Sequence, residues 1–299
     1  TATGGTSSID GGTGTNTISL SGGTNTVITG VDNDTLTASS GNNTVDAGAG
    51  VNTITLSGGS NSVVAGSGND VFTLSSGTNI VNAGDGTNAV TLTNGINTVT
   101  TGTGADTITA SSGSNSINAG DGIDIVTLSG GANTVNAGAD ADSITASLGT
   151  NSIDGGAGTN TINLNGGTNT VVTGVDHDTI TAISGNNTVD AGAGINSITL
   201  NGGSNSVTAG AGNDAITLNS GSNIVNAGDG IDTITLNGGT NTVNAQGGAD
   251  SIIANSGTNV INAGEGNNTV TFNAGTNTFT AGSGADTITS VSGTNVIST

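Results

Sequence analysis

The residues of this chain that could do chemistry are carboxylates recurring at a fixed spacing. With an 18-residue spacing from Asn16 to Asp286, one position always holds aspartate or asparagine, and we call this set the mixed column. If 18-residue coils stack about 5 Å apart, adjacent carboxylates repel by roughly 3 kcal/mol per pair. The column must therefore bind protons or a hard cation, and calcium suits carboxylate and carbonyl oxygens. The mixed column is Asn16, Asp34, Asn52, Asp70, Asn88, Asp106, Asp124, Asp142, Asn160, Asp178, Asn196, Asp214, Asp232, Asp250, Asn268 and Asp286.

Further acids in the same turns add to this repulsion and extend the candidate metal ligands. Calcium is predicted along this one turn edge only, since the other edge carries no such carboxylates. The candidate metal ligands are Asp34, Asp70, Asp106, Asp121, Asp124, Asp140, Asp142, Asp178, Asp214, Asp229, Asp232, Asp250 and Asp286.

Nothing in the sequence points to catalysis. The single histidine, His177, stands where Asn33 stands in an otherwise similar stretch, and a lone turn histidine is better explained as a tolerated substitution than as a general base. The residues predicted to face outward are mostly Thr, Ser and Asn, and they form no catalytic constellation. The chain is therefore predicted not to be an enzyme.

Composition limits the partners. The 299 residues include no Lys, Arg, Pro, Cys, Met, Trp or Tyr, and the formal net charge is −21. Such a polyanion repels nucleic acid and acidic membrane surfaces and attracts cations. No apolar run is long enough to span a membrane, and the first residues lack the features of a signal peptide, so we expect any export signal to lie outside this sequence.

The elements that must position the carboxylates follow from a nine-residue repeat. Every ninth residue from Ile9 to Ile297 is Val, Ile, Leu or Phe. Glycine and Asx residues before it indicate a turn, and the alternating β-branched residues around it indicate a short strand. Successive repeats differ alternately, so the coil is an 18-residue unit with two strands and two turns. The sequence predicts an all-β parallel solenoid of about 16 coils, with Phe72, Phe272 and Phe279 as core fillers.

The second turn edge is different. After Ser7, the equivalent position is asparagine without exception from Asn25 to Asn295. Asparagine at coil spacing predicts an amide ladder, in which each side chain bonds to the next coil and no metal is needed.

A longer, 144-residue period is also present. The stretch that begins at Gly22 recurs, with few changes, at Gly166. We therefore predict one continuous solenoid over residues 1–299, with duplicated blocks at 4–147 and 148–291 and the start of a further block at 292–299.

The repeats that begin at Ala209 (AGAGNDAIT) and Ala227 (AGDGIDTIT) resemble the nonapeptide GGxGxDxUx of the RTX, or hemolysin-type calcium-binding, family. The resemblance implies a right-handed parallel β-roll whose turns bind calcium and whose apolar residue U fills the core. It places the family's aspartate on the aspartates of the mixed column. The sequence departs from the family in its asparagine edge and in the six asparagines of the mixed column.

Three functions remain open. The first is a secreted structural protein of a microbe, expected to be bacterial: a surface layer, filament or adhesin stalk that self-associates end to end or laterally at the cell surface. The second is ice binding, because Thr-x-Thr recurs on outward strand positions, interrupted by residues such as Val71 and Ala89. The third is a calcium-dependent RTX segment of a larger secreted protein.

Overall fold

The computed structural model describes residues 1–299 and consists of 33 short β-strands joined by turns. It contains no helix that is long and apolar enough to cross a membrane. Contacts between Cα atoms group the chain into two compact units. Unit 1 comprises Thr1–Ile144 with Leu148–Ile153, and unit 2 comprises Thr145–Ser147 with Asp154–Thr299.

In unit 1 the strands form two parallel sheets, one of odd-numbered and one of even-numbered strands. The odd sheet holds β1 (Thr6–Asp10), β3 (Thr24–Ile28), β5 (Asn42–Gly48), β7 (Ser60–Ala65), β9 (Thr78–Asn82), β11 (Ile96–Thr100), β13 (Ser114–Asn118) and β15 (Ala132–Asn136). The even sheet holds β2 (Thr17–Leu20), β4 (Thr35–Ala38), β6 (Thr53–Leu56), β8 (Val71–Leu74), β10 (Ala89–Leu92), β12 (Thr107–Ala110) and β14 (Ile125–Leu128). The chain passes between the units through β16 (Ser143–Ala146) and β17 (Thr150–Asp154).

Unit 2 has the same construction. Its even sheet holds β18 (Thr161–Leu164), β20 (Thr179–Ala182), β22 (Ser197–Leu200), β24 (Ala215–Leu218), β26 (Thr233–Leu236), β28 (Ser251–Ala254), β30 (Thr269–Phe272) and β32 (Thr287–Ser290). Its odd sheet holds β19 (Thr168–Val172), β21 (Asn186–Asp190), β23 (Ser204–Thr208), β25 (Ser222–Asn226), β27 (Thr240–Asn244), β29 (Thr258–Asn262), β31 (Thr276–Thr280) and β33 (Thr294–Ser298).

Each paired strand lies in register with the strand one coil later, so Val90 pairs with Ile108 and Asn205 pairs with Asn223. The predicted parallel solenoid of about 16 coils, each an 18-residue unit, is confirmed. Its handedness and the assignment of one domain to residues 1–299 stay predictions.

The core is a narrow band of apolar side chains between the two sheets of each unit. Inward and outward side chains alternate along the strands, as the pleat requires. Phe72, Phe272 and Phe279 are buried as predicted, and the rings of Phe272 and Phe279 meet edge to face with centroids 5.6 Å apart. Because a single coil buries so little, stacking has to supply the core.

At many glycines, the stacked turns leave no room for a side chain. Gly104, two residues before Asp106, has a φ of +127°, which L side chains rarely adopt. A β-carbon there would lie 2.3 Å from the carbonyl oxygen of Gly86 in the preceding coil. Glycine is therefore needed at this turn both for its conformation and for the close approach of two backbones.

We expect Gly104→Ala to destabilise unit 1 by on the order of 3 kcal/mol, since it adds a backbone clash to the strained φ. Urea unfolding followed by circular dichroism measures the loss. Gly12→Ala is the matched control, because Gly12 has a φ of +73° but no atom within 4 Å of a β-carbon. Equal losses in the two variants would contradict the clash.

Candidate metal centre

The mixed column lies at the turns that precede the even-numbered strands, and its aspartates from Asp34 to Asp250 are at most 3% exposed. One side-chain oxygen of each aspartate in the column links two coils. Oδ1 of Asp70 accepts the backbone N–H of Asn52 at 2.7 Å, and Oδ1 of Asp232 accepts that of Asp214 at 2.8 Å. The column therefore forms a row of hydrogen bonds in which a side-chain oxygen of one coil accepts a backbone N–H of the neighbouring coil.

The second carboxylate oxygen has no such role. This Oδ2 atom is buried and accepts no hydrogen bond in the turns of Asp34, Asp70, Asp106, Asp124, Asp178, Asp214, Asp232 and Asp250. A buried charged oxygen without a partner costs several kcal/mol, so it has to gain a proton or a cation.

The asparagine turns of the same column indicate what surrounds this oxygen. Nδ2 of Asn88 donates to the carbonyl oxygens of Gly84 and Gly86 at 3.2 Å and of Thr101 at 3.3 Å. The glycine φ is +123° before Asn88 and +127° before Asp106, so the two turns share their backbone form. An aspartate whose side chain has the orientation of Asn88 would place Oδ2 against the carbonyl oxygens to which the amide donates. One carboxylate oxygen among backbone carbonyls is a donor set that suits calcium.

Burial raises the pKa of eight aspartates in this column, because desolvation disfavours the charged form. It raises the pKa of Asp124 to about 7, with further contributions from the charges of Asp106, Asp142 and Asp121. The pKa of Asp232 is raised to about 7 and that of Asp142 to about 6, again mainly by burial. Burial also raises the pKa of Asp70, Asp106, Asp178, Asp214 and Asp250.

The remaining predicted ligands lie elsewhere in these turns. Asp121, Asp140 and Asp229 are exposed, and each precedes a buried aspartate by two or three residues. Asp286 is half-buried, and its Oδ1 accepts the N–H of Asn268 at 2.9 Å. The assignment of all thirteen residues as metal ligands stays a prediction.

Nowhere do three His, Cys, Asp or Glu side chains converge on one point. A metal centre in these turns would thus need backbone carbonyls for most of its ligands. Two of these carbonyls belong to the residues two and four positions before the column residue and the third to the next coil, and the residue types alone do not identify them. The regular glycines at those positions were the signal that could have found them.

The asparagine ladder on the other edge is confirmed. Its side chains from Asn25 to Asn277 are buried, and the inter-coil Nδ2 to Oδ1 distances are 2.7–2.8 Å. The second N–H donates to the carbonyl three residues earlier, as from Asn61 to Gly58 at 3.1 Å. Nδ2 donates to the asparagine one coil later at Asn25, Asn43, Asn61, Asn79, Asn97, Asn115, Asn133, Asn169, Asn187, Asn205, Asn223, Asn241, Asn259 and Asn277.

His177 has a structural contact that explains its presence. Its Nδ1 accepts the backbone N–H of Ile195 at 2.9 Å. Oδ1 of Asn33 accepts that of Val51 at 2.8 Å, so the two side chains make the same inter-coil bond. This contact supports the interpretation of His177 as a tolerated substitution.

Fold and site together define a class of protein: a parallel β-solenoid with 18-residue coils and a column of buried carboxylates at one turn edge. The profile of the RTX calcium-binding nonapeptide repeat matches this chain in successive copies, and the chain belongs to that family. Calcium binding is the property that this membership brings to the chain. The copies cover residues 1–36, 21–54, 28–63, 55–90, 92–126, 128–162, 163–198, 199–234, 235–270 and 273–298.

A solved structure supports the fold. The chain is similar to a hyperactive, Ca²⁺-dependent, β-helical antifreeze protein from an Antarctic bacterium, with a TM-score of 0.54 and 20% identity. The alignment covers 80% of this chain and 83% of that one. A search of the curated proteins found no match.

Proposed function

We propose that this calcium-dependent β-solenoid is a structural repeat protein of the cell exterior, used as a surface layer, filament or adhesin stalk. In this role calcium binds between Oδ2 of the buried aspartates and the backbone carbonyls of their turns. The bound cations neutralise the column and hold its coils together. The observation that carries the proposal is the row of buried Oδ2 atoms without hydrogen-bond partners.

The ligand charge supports an extracellular site. In this arrangement each turn with a buried aspartate contributes one buried carboxylate, and the other ligands are neutral carbonyls. A calcium site with fewer charged ligands binds calcium more weakly. Extracellular modules have dissociation constants of about 10⁻⁴–10⁻³ M. Sites of this strength would stay empty in a cytosol and fill outside the cell.

The uniformity of the coils supports a structural role. The amide ladder on one edge and the mixed column on the other repeat the same inter-coil contacts from turn to turn. Such a nearest-neighbour array gains stability from each added coil and presents a regular surface for self-association.

A calcium titration tests the proposal. With chelator at pH 8, we expect reduced β-structure by circular dichroism, restored at free calcium of about 0.1–1 mM, with particles that lengthen in electron microscopy on loading. Magnesium is the control cation, because it dehydrates reluctantly and demands octahedral geometry. Structure and assembly unchanged by chelator would overturn the proposal, as would saturation at submicromolar calcium.

Ice binding is the second candidate function. The observation that favours it is a row of threonines in register on the even sheet of unit 2: Thr181, Thr199, Thr217 and Thr235. The similar antifreeze protein adds support. We expect thermal hysteresis with calcium and its loss in Thr217→Tyr, with Ser206→Tyr on the odd sheet as control. Absence of thermal hysteresis in the calcium-loaded protein would eliminate this candidate.

A further inference from the structure

The six asparagines of the mixed column make contacts that the aspartates of the same column lack. Nδ2 of Asn16 donates to the carbonyls of Gly14 at 2.6 Å and Thr29 at 3.2 Å. Nδ2 of Asn160 donates to Gly158 at 2.9 Å, and that of Asn196 donates to Ala209 at 3.2 Å. Asn88 contacts all three of its surrounding carbonyls. The amide nitrogen is thus directed at the oxygen cluster that would hold a cation in an aspartate turn.

The other side-chain atom does not distinguish the two residue types. Oδ1 of Asn88 accepts the N–H of Asp70 at 3.0 Å, and Oδ1 of Asp106 accepts the N–H of Asn88 at 2.6 Å. Asparagine and aspartate therefore make the same inter-coil bond. Their difference is confined to one atom, a nitrogen that donates or an oxygen that repels the carbonyls.

From Asp34 to Asn268, the aspartates and asparagines of the mixed column are also equally buried. Asp70 and Asn88 are 0% and 1% exposed, so neither side chain can turn to solvent for its missing partner. An amide satisfies itself among carbonyls, whereas a carboxylate in the same place requires a positive charge between the oxygens.

We infer that the asparagine turns of the mixed column are metal-free, the side-chain amide standing in place of the calcium ion, and that exchanging Asn for Asp converts a turn between the two forms. The inference rests on the proposed calcium sites in the aspartate turns. It confines calcium to the ten aspartates of the column. The metal-free turns are those of Asn16, Asn52, Asn88, Asn160, Asn196 and Asn268.

The arrangement along the chain has a consequence for apo stability. Asparagine turns flank Asp34, Asp70 and Asp178 on both sides, whereas the other buried aspartates stand in two runs of three. Chelation should therefore loosen the coils around Asp124 and Asp232 before those around Asn52 and Asn88. Hydrogen exchange reports this difference coil by coil.

The test uses Asp70→Asn and Asn88→Asp in the full chain. Equilibrium dialysis against calcium chloride at pH 8 counts bound ions, and thermal melting in EDTA measures apo stability. We expect Asp70→Asn to bind one ion fewer and to melt at a higher temperature in EDTA. We expect Asn88→Asp to bind one ion more and to melt at a lower temperature in EDTA, since its new charge is unpaired without metal. Asn196→Asp repeats the second measurement in unit 2.

Asn79→Asp is the matched control. Asn79 is 1% exposed, but it belongs to the asparagine ladder, where its Nδ2 donates to Asn97 Oδ1 at 2.8 Å and to the carbonyl of Ser76 at 3.2 Å. This substitution adds the same charge at the same depth without the carbonyl cluster, so we expect lower stability and an unchanged ion count.

The outcomes separate the inference from the proposal on which it rests. If Asp70→Asn leaves the ion count unchanged, calcium does not bind at the aspartate turns and the proposed function fails. If Asp70→Asn loses one ion but is not more stable in EDTA, or Asn88→Asp and Asn196→Asp gain none, the inference is overturned and the proposed sites stand. A gain of one ion in Asn79→Asp would also overturn it.

Discussion

In EDTA, the protein should melt at a clearly lower temperature at pH 8 than at pH 5, the reverse of what paired carboxylates produce. The folded-state pKa of Asp124 and of Asp232 is about 7, raised mainly by burial from an ordinary value of 3.8. Between about pH 4 and pH 7 the folded chain then binds more protons than the unfolded chain. Its free energy of unfolding therefore falls as the pH rises through this window.

The expected size of this effect is large. A shift of one pKa unit corresponds to about 1.36 kcal/mol, so the deprotonation of Asp124 and of Asp232 costs on the order of 4 kcal/mol each. Calcium should remove the penalty, because the cation replaces the proton as the neutralising charge. We expect the stabilisation by calcium to be greater at pH 8 than at pH 5, where protons already neutralise Asp124 and Asp232.

Differential scanning calorimetry from pH 5 to pH 8 measures the melting temperature in EDTA and in excess calcium. The difference between the two at each pH gives the stabilisation by calcium. The double variant Asp124→Asn/Asp232→Asn should be more stable than the parent in EDTA at pH 8 and should lose much of the pH dependence. Asp85→Asn removes a charge from an exposed side chain and is the control. A melting temperature in EDTA that is constant, or that rises, from pH 5 to pH 8 would contradict the assignment.

The second large effect is expected from the opposite edge, where Asn205→Ala should destabilise unit 2 by several kcal/mol. The substitution removes the acceptor of Asn187 Nδ2 at 2.7 Å and the donors to Asn223 Oδ1 at 2.8 Å and to the Gly202 carbonyl at 3.1 Å. Each buried polar group that loses its partner costs about 1–3 kcal/mol. Calcium should not restore the loss, because no carboxylate of the mixed column is involved.

Urea unfolding at saturating calcium gives the free energy, and hydrogen exchange should localise the loss to β21, β23 and β25. Ser206→Ala, at an exposed position on the same strand, should change stability by less than about 0.5 kcal/mol. A cost for Asn205→Ala no larger than that of this control would show that the ladder contributes little to stability.

The fold and the ladder could be predicted because they depend on what repeats. An apolar residue at every ninth position predicts a regular alternation of short strands and turns. Because the repeat has no insertions, only one stacking register of the coils buries all of these apolar residues. The same register places the side chains of identical asparagines next to each other in successive coils. The asparagine ladder could therefore be predicted from the sequence. Phe72 and Phe279 belong to the same apolar column, and both are buried.

The metal centre was only half predictable. The position of an aspartate such as Asp106 in its column follows from the sequence, but its burial and its unpartnered oxygen depend on how closely the next coil covers the turn. Spacing alone also could not separate Asp121, which is exposed, from Asp124, which is buried three residues later.

The sequence by itself determined the parallel solenoid, its 18-residue coil and the difference between its two edges, because these follow from periodicity. Only the tertiary structure decided which atoms meet in the turns. It directs the amide of Asn88 at three carbonyls, gives His177 an inter-coil bond to Ile195 and leaves Oδ2 of Asp70 without a partner. The physical reason is that the possible ligands are backbone oxygens of two successive coils, whose positions depend on turn conformation and stacking rather than on residue type.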